Sequence, residues 1–251
     1  MIGKLKRTLQ KVRRPSSGEA ASEEQFGPGA EAIDWPKAKL ELISLIADRL
    51  AGTGLSYQSG LQWSERTALG GVRRLFRVHD AGSGRPLTMN WGYSLDVVPH
   101  LSGSTVKFHR TFALARRDLW MLPAVFTAPR AERHYGESYF WAAAAAMIDD
   151  ALPRATAFWN GRHSLDGVFE LMNQADCLPL GEFHRRKGSV YTLARSAFSR
   201  PFTMAALGHP ASEVELNREV STYRLTDNVK SDLVVKLHAA LEARRTGESD
   251  R

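Results

Sequence analysis

Leu87–Phe112 reads LTMNWGYSLDVVPHLSGSTVKFHRTF, and its first half alternates almost without interruption. Leu87, Met89, Trp91, Tyr93, Leu95, Val97 and Pro99 fall on one side of an extended chain. Thr88, Asn90, Gly92, Ser94, Asp96, Val98 and His100 fall on the other, and only Val98 breaks the pattern. A period of two predicts a strand with one face in a core and one face in water. Leu101-Ser-Gly-Ser104 is turn chemistry, and Thr105–Phe112 reads as the returning strand. With His100 opposite Thr105, Val97 meets Phe108 and Pro99 meets Val106 on the apolar side. Asp96 then meets His109, and Val98 meets Lys107, on the polar side. Slipping the pairing by one residue would set Asp96 against Arg110 but mix the two faces, which a buried face disfavours. The first register is the expected one. It leaves Arg110 on the apolar side, where it needs an edge or an acidic partner.

Working outward, Asp34 before Trp35 and Pro36 is a helix start, since proline is tolerated in the first turn. Leu40, Ile43, Ile46, Ala47 and Leu50 form its stripe, and Gly52 and Gly54 end it. Ser56–Thr67 and Val72–His79 read as two strands around a Gly70-Gly71 turn. The expectation is an α+β fold: an N-terminal helix packed on a four-stranded antiparallel meander, followed by a helical C-terminal portion. Ser138–Leu152 holds a five-alanine run and ends or kinks at Pro153. Ser164 caps a helix carrying Val168 and Met172. Further helices are expected over Tyr191–Leu207, broken near Pro201, after a Ser212/Glu215 capping box, and over Asn228–Arg244. Three regions follow: a basic amphipathic segment with a disordered linker over 1–31, a helix-plus-sheet domain over 32–136, and the helical portion over 137–251 packed on the sheet domain.

The chain has 251 residues, a formal net charge of +7, 43% hydrophobic residues and 24% charged residues. These proportions are those of an ordinary globular protein, and the positive balance favours acidic partners such as a nucleic acid or an acidic protein. The single Cys177 excludes an internal disulfide framework and fits a reducing compartment, so a cytoplasmic location is expected. The longest apolar run, Tyr139–Ile148, is too short to be a transmembrane segment, and no apolar stretch follows the basic N-terminus as a secretory signal would require. Residues 1–14 place Ile2, Leu5, Leu9 and Val12 at helical spacing among lysines and arginines. Such a segment can lie on an anionic membrane surface, although its apolar stripe is short.

The sequence contains no phosphate-binding loop, dinucleotide fingerprint, nucleophile elbow or zinc motif, and no cofactor is expected. What remains is the polar face of the meander, with Arg66, Arg73, Arg77, His79, Asn90, Ser94, Asp96, His100, Lys107, His109 and Thr111. Arg66, Arg73, Arg77, His79, His100 and Lys107 are the candidate ligand-binding residues, because their summed charge would hold a phosphate or carboxylate. The preferred reading is a non-catalytic cytoplasmic binding or accessory protein that takes an acidic protein or a nucleic acid on this face. An ordinary solvated sheet face would read the same way. The enzyme alternative acts on a phosphate- or carboxylate-bearing substrate, with His109 as base and Asp96 as the carboxylate that orients it. A peripheral membrane protein anchored by residues 1–14 is the third reading. The three histidines of this face have no diagnostic metal spacing, and no metal is expected.

Overall fold

The computed structural model describes residues 33–80, 86–102, 105–107, 111–121, 131–132, 136–174, 177–179, 193–223 and 225–246. The fold is α+β. The chain divides into two compact units, Met1–Ala51 with Val78–Met89 and Val125–Arg154, and Gly52–Arg77 with Asn90–Ala124 and Ala155–Arg251. The expectations for residues 1–31, for Phe108–Arg110 and for the basic cluster His184–Lys187 lie outside the described residues.

In the first unit, helix α1 spans Trp35–Leu50. Asp34 caps it, its Oδ1 accepting the Lys37 N–H at 3.5 Å, and Pro36 sits in the first turn as expected. Its buried stripe is Ala38, Leu42, Leu45, Ile46 and Leu50. The stripe predicted through Leu40 and Ile43 was rotated, for Leu40 is 70% exposed. Helix α2, Glu137–Trp159, does not stop at Pro153 but runs through it. Within this unit it buries Phe140, Ala143, Ala144, Met147, Ile148 and Ala151. Small side chains on that face permit close packing, and the burial offsets the backbone hydrogen bond that the proline removes.

The second unit is built on a mixed sheet. Its strands are β1 (Leu55–Ser59), β2 (Gln62–Glu65), β3 (Val72–His79), β4 (Thr88–Leu95), β7 (Leu119–Met121), β8 (Cys177–Pro179) and β9 (Leu193–Arg195). The order is β1-β2-β3-β4-β7-β9-β8; β1 with β2, β2 with β3, β4 with β7 and β7 with β9 pair antiparallel, and β8 pairs parallel with β9. The last residues of β3 and the first of β4 belong to the first unit. Three expectations are corrected here. The predicted strand Ser56–Thr67 is a hairpin, β1 and β2, because Gly60 adopts a φ of +61° and turns the chain. The long strand from Leu87 to His100 ends at Leu95, where Asp96 N–H donates to the Gly71 carbonyl at 2.8 Å and Val98 N–H turns back to the Leu95 carbonyl. The returning strand is not part of the main sheet. β5 (His100–Ser102) and β6 (Thr105–Lys107) form a separate ribbon pairing His100 with Lys107 and Ser102 with Thr105. The predicted partners of His100 and Lys107, Thr105 and Val98, are therefore replaced. The two-face rule used to choose the register does not carry across the break at residues 96–98.

β7 takes the place beside β4 that the meander reserved for the returning strand, pairing Trp91 with Met121 and Tyr93 with Leu119. Gly92 makes this approach possible: a Cβ there would lie 2.0 Å from the Leu119 carbonyl oxygen. The Gly92 carbonyl in turn accepts the Trp159 indole N–H at 3.1 Å. Trp91, Tyr93 and Leu95 are buried as predicted.

The helical portion holds α3 (Leu165–Met172), α4 (Ser199–Ala206), α5 (Ser212–Thr222) and α6 (Asp227–Arg245). Ser164 caps α3 through the Gly167 N–H at 3.2 Å. The region expected as one broken helix over 191–207 is strand β9 followed by α4. The capping box at Ser212 is absent, because α5 begins at Ser212 itself with Ala211 as its cap. Among the described residues, no helix is long and apolar enough to cross a membrane.

Candidate functional site

The polar side of the second unit's sheet is not an open surface. Gln62 on β2 is opposite Arg77 on β3, and Ser64 is opposite Leu75. Gln62, Ser64, Arg73, Leu75, Asn90 and Ser94 are all buried. The segment after β6 accounts for part of this. Gln62 Nε2 donates to the Ala115 carbonyl at 2.9 Å and to Gln58 Oε1 at 2.6 Å. Gln58 Nε2 donates to the Ala113 carbonyl at 2.9 Å, and the Arg116 N–H donates to Ser94 Oγ at 3.0 Å. Polar residues at alternating positions thus hold a covering segment by hydrogen bonds instead of meeting water.

Where this cover ends, a cleft of about 520 Å³ opens, lined among others by Arg77, His100, Arg116, Arg117, Asp118 and Trp120. Arg77 comes from β3, His100 from β5, and Arg116–Trp120 from the covering segment and β7. The turn Ser196–Phe198 closes another side. Asp118 fixes how these pieces meet: Oδ2 accepts the Leu95 N–H at 2.8 Å, and Oδ1 accepts the Ser196 hydroxyl at 3.0 Å. Phe198 holds a left-handed backbone with φ of +63°. For a bulky residue that conformation costs about 1–2 kcal/mol. Glu219 holds it, accepting the Phe198 N–H at 2.7 Å on one oxygen and pairing with buried Arg195 through the other.

Among the described lining residues, arginines outnumber carboxylates three to one. Among the described lining residues Asp118 is the only acid, and its oxygens are turned to Leu95 and Ser196. Among the described residues, no carboxylate forms an ion pair with Arg77 or Arg117. Arg117 donates to Asn90 Oδ1 at 3.3 Å, and its guanidinium lies 5.2 Å from the centre of the Trp120 ring. Burial first, then the neighbouring Arg77 charge, lowers its proton affinity to a pKa of about 10. Two unneutralised cations sharing one concavity can hold an anion, and guanidinium forks suit phosphate or carboxylate oxygens.

The structure distributes the predicted site residues unevenly. Arg77 and His100 line the cleft. Arg73, 7% exposed, is bound by both oxygens of Asp96 at 3.1 and 2.9 Å. Arg66 is exposed; it donates to Ser56 Oγ at 3.2 Å and lies over the Phe112 ring at 5.3 Å. His79 and Lys107 are exposed and do not line the cleft. His109 lies outside the described residues. Sequence reading missed Arg116, Arg117, Asp118 and Trp120, whose segment has no periodicity. The only signal there was the charged triplet Arg116-Arg117-Asp118 before the four apolar residues 119–122. No group of three or more His, Cys, Asp or Glu suited to a metal occurs among the described residues. Comparison of the chain with known protein families, curated proteins and solved structures finds no match.

Proposed function

We propose that this chain is a non-catalytic binding protein that takes an acidic protein or a nucleic acid on its basic sheet side, seating an anionic group between Arg77 and Arg117. The observation that carries this reading is the unneutralised pair of guanidiniums in a concave site. Charge left without a carboxylate in a partly buried cleft is costly for the free protein and favourable for an anionic ligand. The enzyme reading is weaker on the same geometry, because the carboxylate that would orient a catalytic base, Asp96, is engaged at both oxygens by Arg73.

The test is binding of a single-stranded oligonucleotide and of a glutamate-rich peptide across a salt series. Affinity for at least one should fall steeply with salt. Arg77→Ala and Arg117→Ala should each weaken it by about tenfold. No binding of either probe at low salt, or arginine variants that bind as tightly as wild type, would remove the proposal.

A further inference from the structure

We infer that the cleft selects a phosphate monoester over a phosphate diester or a carboxylate, with the ester's terminal phosphate held by Arg77 and Arg117 and its organic body filling the remaining space. This rests on the reading of the cleft as an anion site and narrows it to one chemistry.

Three observations lead there. First, among the described residues of β3 the unneutralised charge is a spot and not a track. On the same strand Arg73 is bound to Asp96, and Arg74 is bound to Glu65 at 2.7 Å. A nucleic-acid backbone bound along its length needs a row of cations, each meeting one singly charged diester. Second, three guanidiniums, Arg77, Arg116 and Arg117, and one carboxylate, Asp118, line the cleft, a net of two positive charges that matches a group carrying close to two negative ones. A phosphate monoester carries about −1.5 to −2 at neutral pH and offers three terminal oxygens, whereas a diester or a carboxylate carries a single charge. Third, the cleft of about 520 Å³ is far larger than an oxyanion and falls in the range of small-molecule sites. Pro99, Leu101, Leu114 and Phe198 give it apolar wall for the body of an ester. A nucleoside monophosphate has this combination of size and charge. The same group occurs free or at the 5′ end of a nucleic acid.

The experiment is calorimetric titration of the full chain with a nucleoside 5′-monophosphate, its 3′,5′-cyclic monophosphate, the unphosphorylated nucleoside and a glutamate-rich peptide. The cyclic compound keeps the body and removes one charge. The monophosphate should bind at least about tenfold more tightly than the cyclic compound. The nucleoside and the peptide should bind more weakly still. Arg77→Gln and Arg117→Gln should erase the preference, while Arg66→Gln, outside the cleft, should leave it intact. Short oligonucleotides with and without a 5′-phosphate give the source: competition by the phosphorylated one alone supports the inference and assigns the group to a nucleic-acid end. Competition by neither, with the monophosphate still bound, supports the inference, assigns a free ester, and removes the acidic-protein and nucleic-acid ligands of the proposed function while the anion site stands. Equal affinity for monophosphate and cyclic compound, or tighter binding of the peptide, overturns the inference while the broader anion reading stands. Absence of binding by every probe overturns both.

Discussion

Arg73 and Arg77 stand four residues apart on the same side of β3 and have opposite surroundings. Arg73 is a closed structure: both Asp96 oxygens, and the Arg66 carbonyl at 2.6 Å, leave its guanidinium satisfied. Arg77 faces Gln62 across the sheet and shares its cleft with Arg117, a second cation. The lesson is that a basic residue's role is set by what distant chain brings to it. Asp96 arrives from the turn that ends β4, and Arg117 arrives from the segment that crosses the sheet's polar side. One end of the strand uses its charge for folding; the other keeps charge available at a cost.

The largest expected effect comes from removing the scaffold on which the comparison depends. Gly92→Ala would drive a Cβ into the Leu119 carbonyl, and β7, which begins two residues after Arg117, would have to shift. A loss above about 4 kcal/mol in urea unfolding is expected, because backbone and not a flexible side chain must yield. A mild loss would mean that β7 is not held against β4 as described.

Arg73→Ala comes next. It leaves Asp96 without its guanidinium, and the Asp96 side chain keeps 29% of its surface in water. The full cost of breaking a buried pair is therefore discounted to about 2–3 kcal/mol. Binding of anionic probes by the folded variant should be unchanged. If Arg73→Ala left stability within about 0.5 kcal/mol of wild type, the contrast between the two arginines would fail on its structural side.

Arg77→Gln should behave in the opposite manner. Removing a cation from beside Arg117 relieves repulsion, so stability should stay within about 0.5 kcal/mol of wild type or rise slightly. Anion affinity should fall nonetheless. A substantial loss of stability would mean that Arg77 is structural like Arg73.

The smallest effect is a pH dependence at Arg117. Its folded pKa, about 10, lies below the ordinary arginine value, so the folded protein releases this proton first as pH rises. Between these values the unfolded chain holds more protons, and this group's contribution to stability increases with pH. Below about 10 both states are charged and the cost of keeping the charge is fully present. Anion affinity should accordingly hold through the mildly alkaline range and decline as pH passes about 10, well before an exposed guanidinium would discharge. Affinity that persists unchanged above that point would place Arg117 in water.

Local signals in the sequence were read well where the chain's own neighbours decide. Asp34 with Pro36, Gly70-Gly71 and Ser164 mark real helix starts and turns, and the alternating Met89, Trp91, Tyr93 and Leu95 all enter the core. The same alternation misled on the opposite face. Asn90 and Ser94 look like solvent positions, but residues 111–118 cover that side, and periodicity within one strand carries no trace of a cover supplied from elsewhere. The Leu-Ser-Gly-Ser turn signalled a reversal without its register, and nothing local showed that Asp96–Val98 would separate the ribbon from the sheet. Half of the site was legible for a related reason. Arg77 and His100 lie in strands with a readable face, whereas Arg117 and Asp118 lie in a segment whose position is set only by tertiary hydrogen bonds.

The central claim is that Arg77 and Arg117 form a charged site kept open for an anion, and phosphate-linked stability tests it most directly. Urea unfolding of wild type and of Arg77→Gln is compared in sodium phosphate and in sodium chloride of equal ionic strength. A ligand that binds only the folded chain stabilises it by mass action. Phosphate should raise the unfolding midpoint of wild type above its value in chloride, and the excess should shrink in Arg77→Gln to the general stabilisation that an excluded salt gives. An equal excess in both proteins, or none in wild type, would contradict the account.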